Sequence, residues 1–149
     1  MPPRPSRKPS PAASRAAKGE ARRRRVLGDD YVNAALATVD GFNREFMTLI
    51  HEWVWHDIWS RPGLPLKTRS LVNLALLTAL NRPRELLIHL RGALNNGCTV
   101  TEIKEVLMHT ALYAGVPAAL DGIHVVREAL IEWGYLPGRR AARRKRKGS

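Results

Sequence analysis

PRELLIHLRGALNNGCTVTEIKEVLMHTALYAGVPAAL, residues 83–120, decides the fold. Its apolar residues recur at three- and four-residue steps, the period of a helix with one face in a core. Its punctuation is helical as well. Pro83 falls in a first turn, where its missing N–H costs nothing and its fixed φ suits a helix. Asn95-Asn96-Gly97 ends that helix. Thr99 with Glu102 forms a capping box for the next one, which runs to about Ala114. Gly115-Val116-Pro117 stops it and starts another, ended by Gly134.

The same pattern continues upstream. Residues 67–80 (KTRSLVNLALLTAL) are apolar almost all round, interrupted by Asn73, and read as a central helix. Ser60-Arg61-Pro62-Gly63-Leu64-Pro65 is a turn. Before it, Asp40 caps a helix in which Phe42, Phe46, Leu49, Trp53 and Trp55/His56 recur at helical steps, and Asp29-Asp30 cap an earlier one. Trp53, Trp55, Trp59 and Trp133 read as core or subunit contacts. No stretch combines strand alternation with hairpin turns. The expectation is an all-α protein of about six helices.

Charge divides the chain. The formal net charge is +12, yet residues 1–25 carry +8, residues 138–149 carry +7, and residues 26–137 carry −3. Residues 1–25 (MPPRPSRKPSPAASRAAKGEARRRR) hold no large apolar side chain beyond Met1, so they are expected to be a disordered basic tail. Residues 138–149 (GRRAARRKRKGS) are expected to be a second one. The globular domain is then residues 26–137. Nucleic acid, if bound at all, would be held through these tails, though they contain no aromatic residue for stacking bases. No apolar run is long enough for a membrane span. The single cysteine, Cys98, rules out an internal disulfide or a CxxC pair and fits a reducing, cytoplasmic setting.

The chemistry-bearing residues cluster in the opening stretch. Glu85 and His89 stand four apart and share a helix face, so a carboxyl and an imidazole can pass protons to one small substrate. Spacing alone equally describes a solvated helix face. The apolar neighbours Leu86, Leu87, Ile88 and Leu90 argue that this helix is largely buried. Arg91 is a candidate carboxylate clamp, as is Arg69 at the start of the central helix, with surface salt bridges as the plainer reading. Glu105 and His109 repeat the spacing on the next helix, and Tyr113 follows His109 by one turn. Paired Glu-xxx-His could suggest a metal, but carboxylate-bridged bundles use Glu-x-x-His. Phosphate-loop, HExxH, GxSxG and dinucleotide fingerprints are all lacking.

Residues 61–120, with TRSL, the ELLIHLRGALNNG block, TEIKEVLMH and YAGVPAA in order, closely resemble the carboxymuconolactone decarboxylases, as does the earlier RRVLGDDYVNAAL. The resemblance covers residues 24–130. It implies an alkylhydroperoxidase D-like helical fold, a homo-oligomer (trimer or hexamer), and neither metal nor organic cofactor. Peroxidase-type relatives carry a CxxC pair with a histidine four residues later. Here Glu85 stands at the second cysteine's position and His89 matches the histidine, which excludes dithiol chemistry. The implied reaction is decarboxylation of 4-carboxymuconolactone to β-ketoadipate enol-lactone in protocatechuate catabolism. On that reading His89 and Glu85 are catalytic, and Arg91, Arg69, His109 and Tyr113 bind the lactone. A related small-acid decarboxylase or isomerase, or a non-catalytic helical oligomer with basic tails, are the competing readings. The chain departs from the family's pattern at His56, where a glycine usually follows the tryptophan, and at Pro65, where an aspartate is common.

Overall fold

The computed structural model describes residues 11–138, and the side chains from residue 14. Seven α-helices and one π-helical segment follow one another, with no strand among the described residues. They are α1 (Pro11–Leu27), α2 (Asp29–Leu36), α3 (Arg44–Leu49), which passes into the π-helical segment (Ile50–Ile58), α4 (Leu66–Ala79), α5 (Pro83–Asn95), α6 (Val100–Ala114) and α7 (Val116–Glu132). The described residues group into two compact units, divided between Leu66 and Lys67.

Helix α1 corrects the expectation of disorder from residue 1 to 25, as far as residues 11–25 are concerned. The composition argument weighed missing apolar bulk and overlooked helix propensity. Ala, Arg, Lys and Glu are strong helix formers, and Arg24 pairs with Glu20 one turn back at 2.9 Å. Small residues then let α1 lie close against the π-helical segment: Gly19 is buried, and a Cβ there would stand 1.7 Å from the His51 carbonyl oxygen. Several of the arginines are therefore structural. Arg23 is only 6% exposed; its Nη1 lies 3.2 Å from His51 Nε2 and 3.2 Å from Met47 Sδ. Residues 1–10 and 139–149, which carry the rest of the two expected tails, lie outside the described residues.

The π-helical segment holds His51 and Trp55 in the interior, and Trp55 stacks on Trp59 at 4.9 Å between ring centroids. Burial and the neighbouring Arg23 guanidinium both push the His51 pKa down. The opposite stripe, Phe42, Phe46, Leu49 and Trp53, is exposed.

In the second unit, Leu74, Leu86, Leu90, Ala93, Ile103, Leu107, Val126, Ala129 and Leu130 form one core drawn from α4 to α7. The capping box expected at Thr99 is complete: Thr99 Oγ1 accepts from the Glu102 N–H at 3.1 Å, and Glu102 Oε2 accepts from the Thr99 N–H at 2.8 Å. Lys67 adds an ion pair to Glu102 at 2.8 Å. Helix α4 touches α7 closely, since a Cβ on Gly122 would meet Thr78 Cγ2 at 2.7 Å. It buries Ser70, Leu74 and Thr78 but exposes Val72 and Leu76, so it is less enclosed than its composition suggests.

Candidate active site

Helices α4 and α5 run antiparallel along a polar seam. Asn96 Nδ2 donates to Ser70 Oγ at 2.9 Å, and Asn73 Nδ2 lies 3.3 Å from His89 Nδ1. His89, Asn73 and Arg69 are half-buried; Glu85 is exposed. Arg69 and Asn73 are four apart on α4, and Glu85 and His89 four apart on α5, so each pair shares a face about 6 Å apart along its axis. The antiparallel pairing then fixes an order along the seam. Arg69 lies one turn to one side of the Asn73–His89 contact, and Glu85 lies one turn to the other. A cation, an imidazole and a carboxyl therefore follow one another. This can hold one carboxylate of a small acid and present a hydrogen-bonding and proton-carrying pair to the atoms beyond it.

The other candidates fall elsewhere. Arg91 is two residues from His89, about 200° around the helix. Its guanidinium lies over the Trp133 ring, 3.6 Å from the centroid. Within one chain it is therefore not brought to the His89 seam. His109 and Glu105 line a cleft of about 640 Å³ between α4 and α6, together with Leu71, Val72, Ala75 and Met108. His109 contacts the exposed Tyr113 ring at 5.2 Å between centroids. The cleft's α4 residues Val72 and Ala75 stand on a different flank from Asn73, so His109 and Tyr113 form a separate group. Among the described residues, no three His, Cys, Asp or Glu side chains gather as a metal site. Cys98 is buried, its Sγ donating to the Lys67 carbonyl at 3.6 Å, and burial pushes its thiol pKa up.

Asn73 is the residue that motif reading passed over. Its signal was present: a lone amide in the run LVNLALL, one turn after Arg69. A polar residue in the middle of an apolar helix is costly unless its side chain has a partner.

Comparison with known proteins shows the family. The model of the carboxymuconolactone decarboxylase family matches residues 44–128. The chain is 45% identical over 115 residues to the 4-carboxymuconolactone decarboxylase of Acinetobacter baylyi, covering 77% of this chain and 86% of that one. It is 42% identical over 108 residues to a nitrosuccinic acid decarboxylase of Metarhizium robertsii, covering 72% of this chain and 76% of that one.

Proposed function

Because the chain belongs to the carboxymuconolactone decarboxylase family, we propose that this carboxy-lyase acts on 4-carboxymuconolactone, or on a small dicarboxylic acid that shares its electronic layout. The observation that carries the reading is the half-buried His89 with Glu85 one turn away and Arg69 on the facing helix. The two relatives narrow the substrate class. By name, one acts on 4-carboxymuconolactone, whose γ-carboxylate is separated from the lactone carbonyl by a C=C bond; the other acts on an acid bearing a nitro group. In both, the electron pair released with CO₂ has an acceptor inside the substrate. The protein need only bind, orient and protonate.

For the lactone, the C–C bond to the γ-carboxylate breaks and CO₂ leaves. The electron pair moves through the C=C bond to the carbonyl oxygen as a dienolate. A proton delivered to the α carbon then gives the enol-lactone. Arg69 anchors the second carboxylate, a bidentate task suited to a guanidinium. His89 and Glu85 between them meet the oxyanion and carry the proton. A homo-oligomer is part of the proposal: the exposed apolar side chains of Phe46, Leu49 and Trp53, and separately of Val72, Leu76, Met108 and Leu112, support it.

The test is direct. Purified protein is given the lactone, generated enzymatically from carboxymuconate, and separately nitrosuccinate; CO₂ release and enol-lactone absorbance are followed. Turnover of the lactone is expected. Folded protein that turns over only nitrosuccinate would transfer the proposal to that acid, and turnover of neither would end it.

A further inference from the structure

We propose that the groove between α1 and the end of the π-helical segment is an anion site that takes the phosphate group of a small molecule. None of the residues of the His89 seam lines it, and it does not depend on the proposed decarboxylation.

The walls carry the argument. Lys18, Ala21, Arg22 and Arg25 of α1 meet His56 and Ser60 around a cavity of about 390 Å³. Lys18, Arg22 and Arg25 stand at i, i+4 and i+7, so one helix face presents all three. The short side chain of Ala21 leaves room between them. Arg22 is half-buried and held in place: its Nε donates to Ser60 Oγ at 3.3 Å, and that hydroxyl donates to the Trp55 carbonyl at 3.1 Å. This bond uses only the Nε proton of a guanidinium that carries five.

The other arginines of this unit show what is unusual here. Arg15 pairs with Asp57, and Arg24 pairs with Glu20 at 2.9 Å and Asp29 at 3.1 Å. Among the described residues, no carboxylate pairs with Lys18, Arg22 or Arg25, and none lines the cavity. Like charges four apart on a helix repel, so the stripe is a cost that an anion seated between the cations would relieve. Asp57 Oδ1 comes within 4.0 Å of His56 Nε2, but Arg15 already neutralises it. The end of the π-helical segment contributes about half an elementary negative charge, which three full positive charges outweigh.

The donors select the anion. One guanidinium fork satisfies a planar carboxylate. Here an ammonium, two guanidiniums and an imidazole come from two elements, and a tetrahedral dianion with three or more acceptor oxygens can use them all. The volume falls within the range of about 300–1,000 Å³ for small-molecule sites, so it holds a phosphate with a further group attached. Both walls set this chain apart from its family's pattern. Helix α1 precedes residue 44, where the match to the family model begins, and His56 stands where a glycine is usual.

Pyrophosphate and succinate, titrated separately into the full-length protein, test this. Calorimetry and imidazole proton NMR are read at about 0.15 M salt, where loose surface attraction is screened beyond about 8 Å. The His56 and His89 signals are assigned from those lost in His56→Gln and His89→Gln. Saturable pyrophosphate binding is expected, with the His56 signals moving and those of His89 still. Arg22→Gln should weaken it about tenfold or more. So should Lys18→Gln with Arg25→Gln, two exposed positions where glutamine keeps the helix propensity; circular dichroism checks the fold of each. No saturable binding, binding that both variants retain, or movement of the His89 signals in place of those of His56 would overturn the proposal. Succinate binding as tightly as pyrophosphate would overturn the assignment to phosphate. A DNA duplex held by these three cations, with pyrophosphate not bound, would overturn it in favour of nucleic acid.

Discussion

Gly19→Ala separates a docked α1 from a solvated tail by the sign of its effect. On a solvated helix, alanine for an interior glycine stabilises by about 1 kcal/mol, because the backbone loses less entropy. In the structure the new Cβ would lie 1.7 Å from the His51 carbonyl oxygen and 2.6 Å from its carbon. A carbon–oxygen contact needs about 3.3 Å, so α1 and the π-helical segment must part by about 1.6 Å. The obstacle is backbone and cannot rotate aside. Overpacking of this kind costs about 3 kcal/mol or more. Subtracting the propensity gain leaves a net loss of about 2 kcal/mol. Urea unfolding followed by circular dichroism measures it. A lower midpoint with an unchanged slope is expected. An equal or higher midpoint would mean that α1 does not pack where the structure puts it.

Leu90→Ala should destabilise by about 2–5 kcal/mol in the same assay, because Leu90 is fully buried in the α4–α7 core; a loss under about 1 kcal/mol would contradict that core. Lys67, with the Thr99 N–H, holds the Glu102 carboxyl down to about 2, below its ordinary 4.5. A depressed carboxyl stabilises fully above its unfolded pKa and loses that contribution as pH falls through the folded one. The Tm advantage of wild type over Glu102→Gln should therefore shrink between about pH 5 and pH 2; a gap that is constant with pH would refute the assignment. Cys98→Ser should leave turnover unchanged, and native Cys98 should react with iodoacetamide far more slowly than the unfolded thiol, since burial raises its pKa. A large loss of activity on this substitution would bring thiol chemistry back.

Helix boundaries were the most legible part of the sequence. Local rules fix them, and the Thr99–Glu102 box, Pro83 and Gly97, with its φ of 83°, all stand where those rules put them. The π-helical turn over His51–Trp55 was not legible, because a periodicity of 3.6 fits an α-helix there equally well. Helix α1 was lost to a composition rule that counts apolar bulk and misses close packing on glycine. Within the candidate site, the shared face of Glu85 and His89 followed from their spacing. Arg91 was grouped with them by closeness in sequence, though two residues on a helix point to opposite sides. Asn73 could not be assigned a partner until the antiparallel pairing of α4 and α5 set it against His89.

The most direct measurement is lactone turnover by wild type and by His89→Ala, with the fold of each checked by circular dichroism. The account predicts a fall in kcat of about 10²–10⁴-fold at unchanged secondary structure. Near wild-type turnover by folded His89→Ala would contradict it, and would return that imidazole to the role of a packed seam residue.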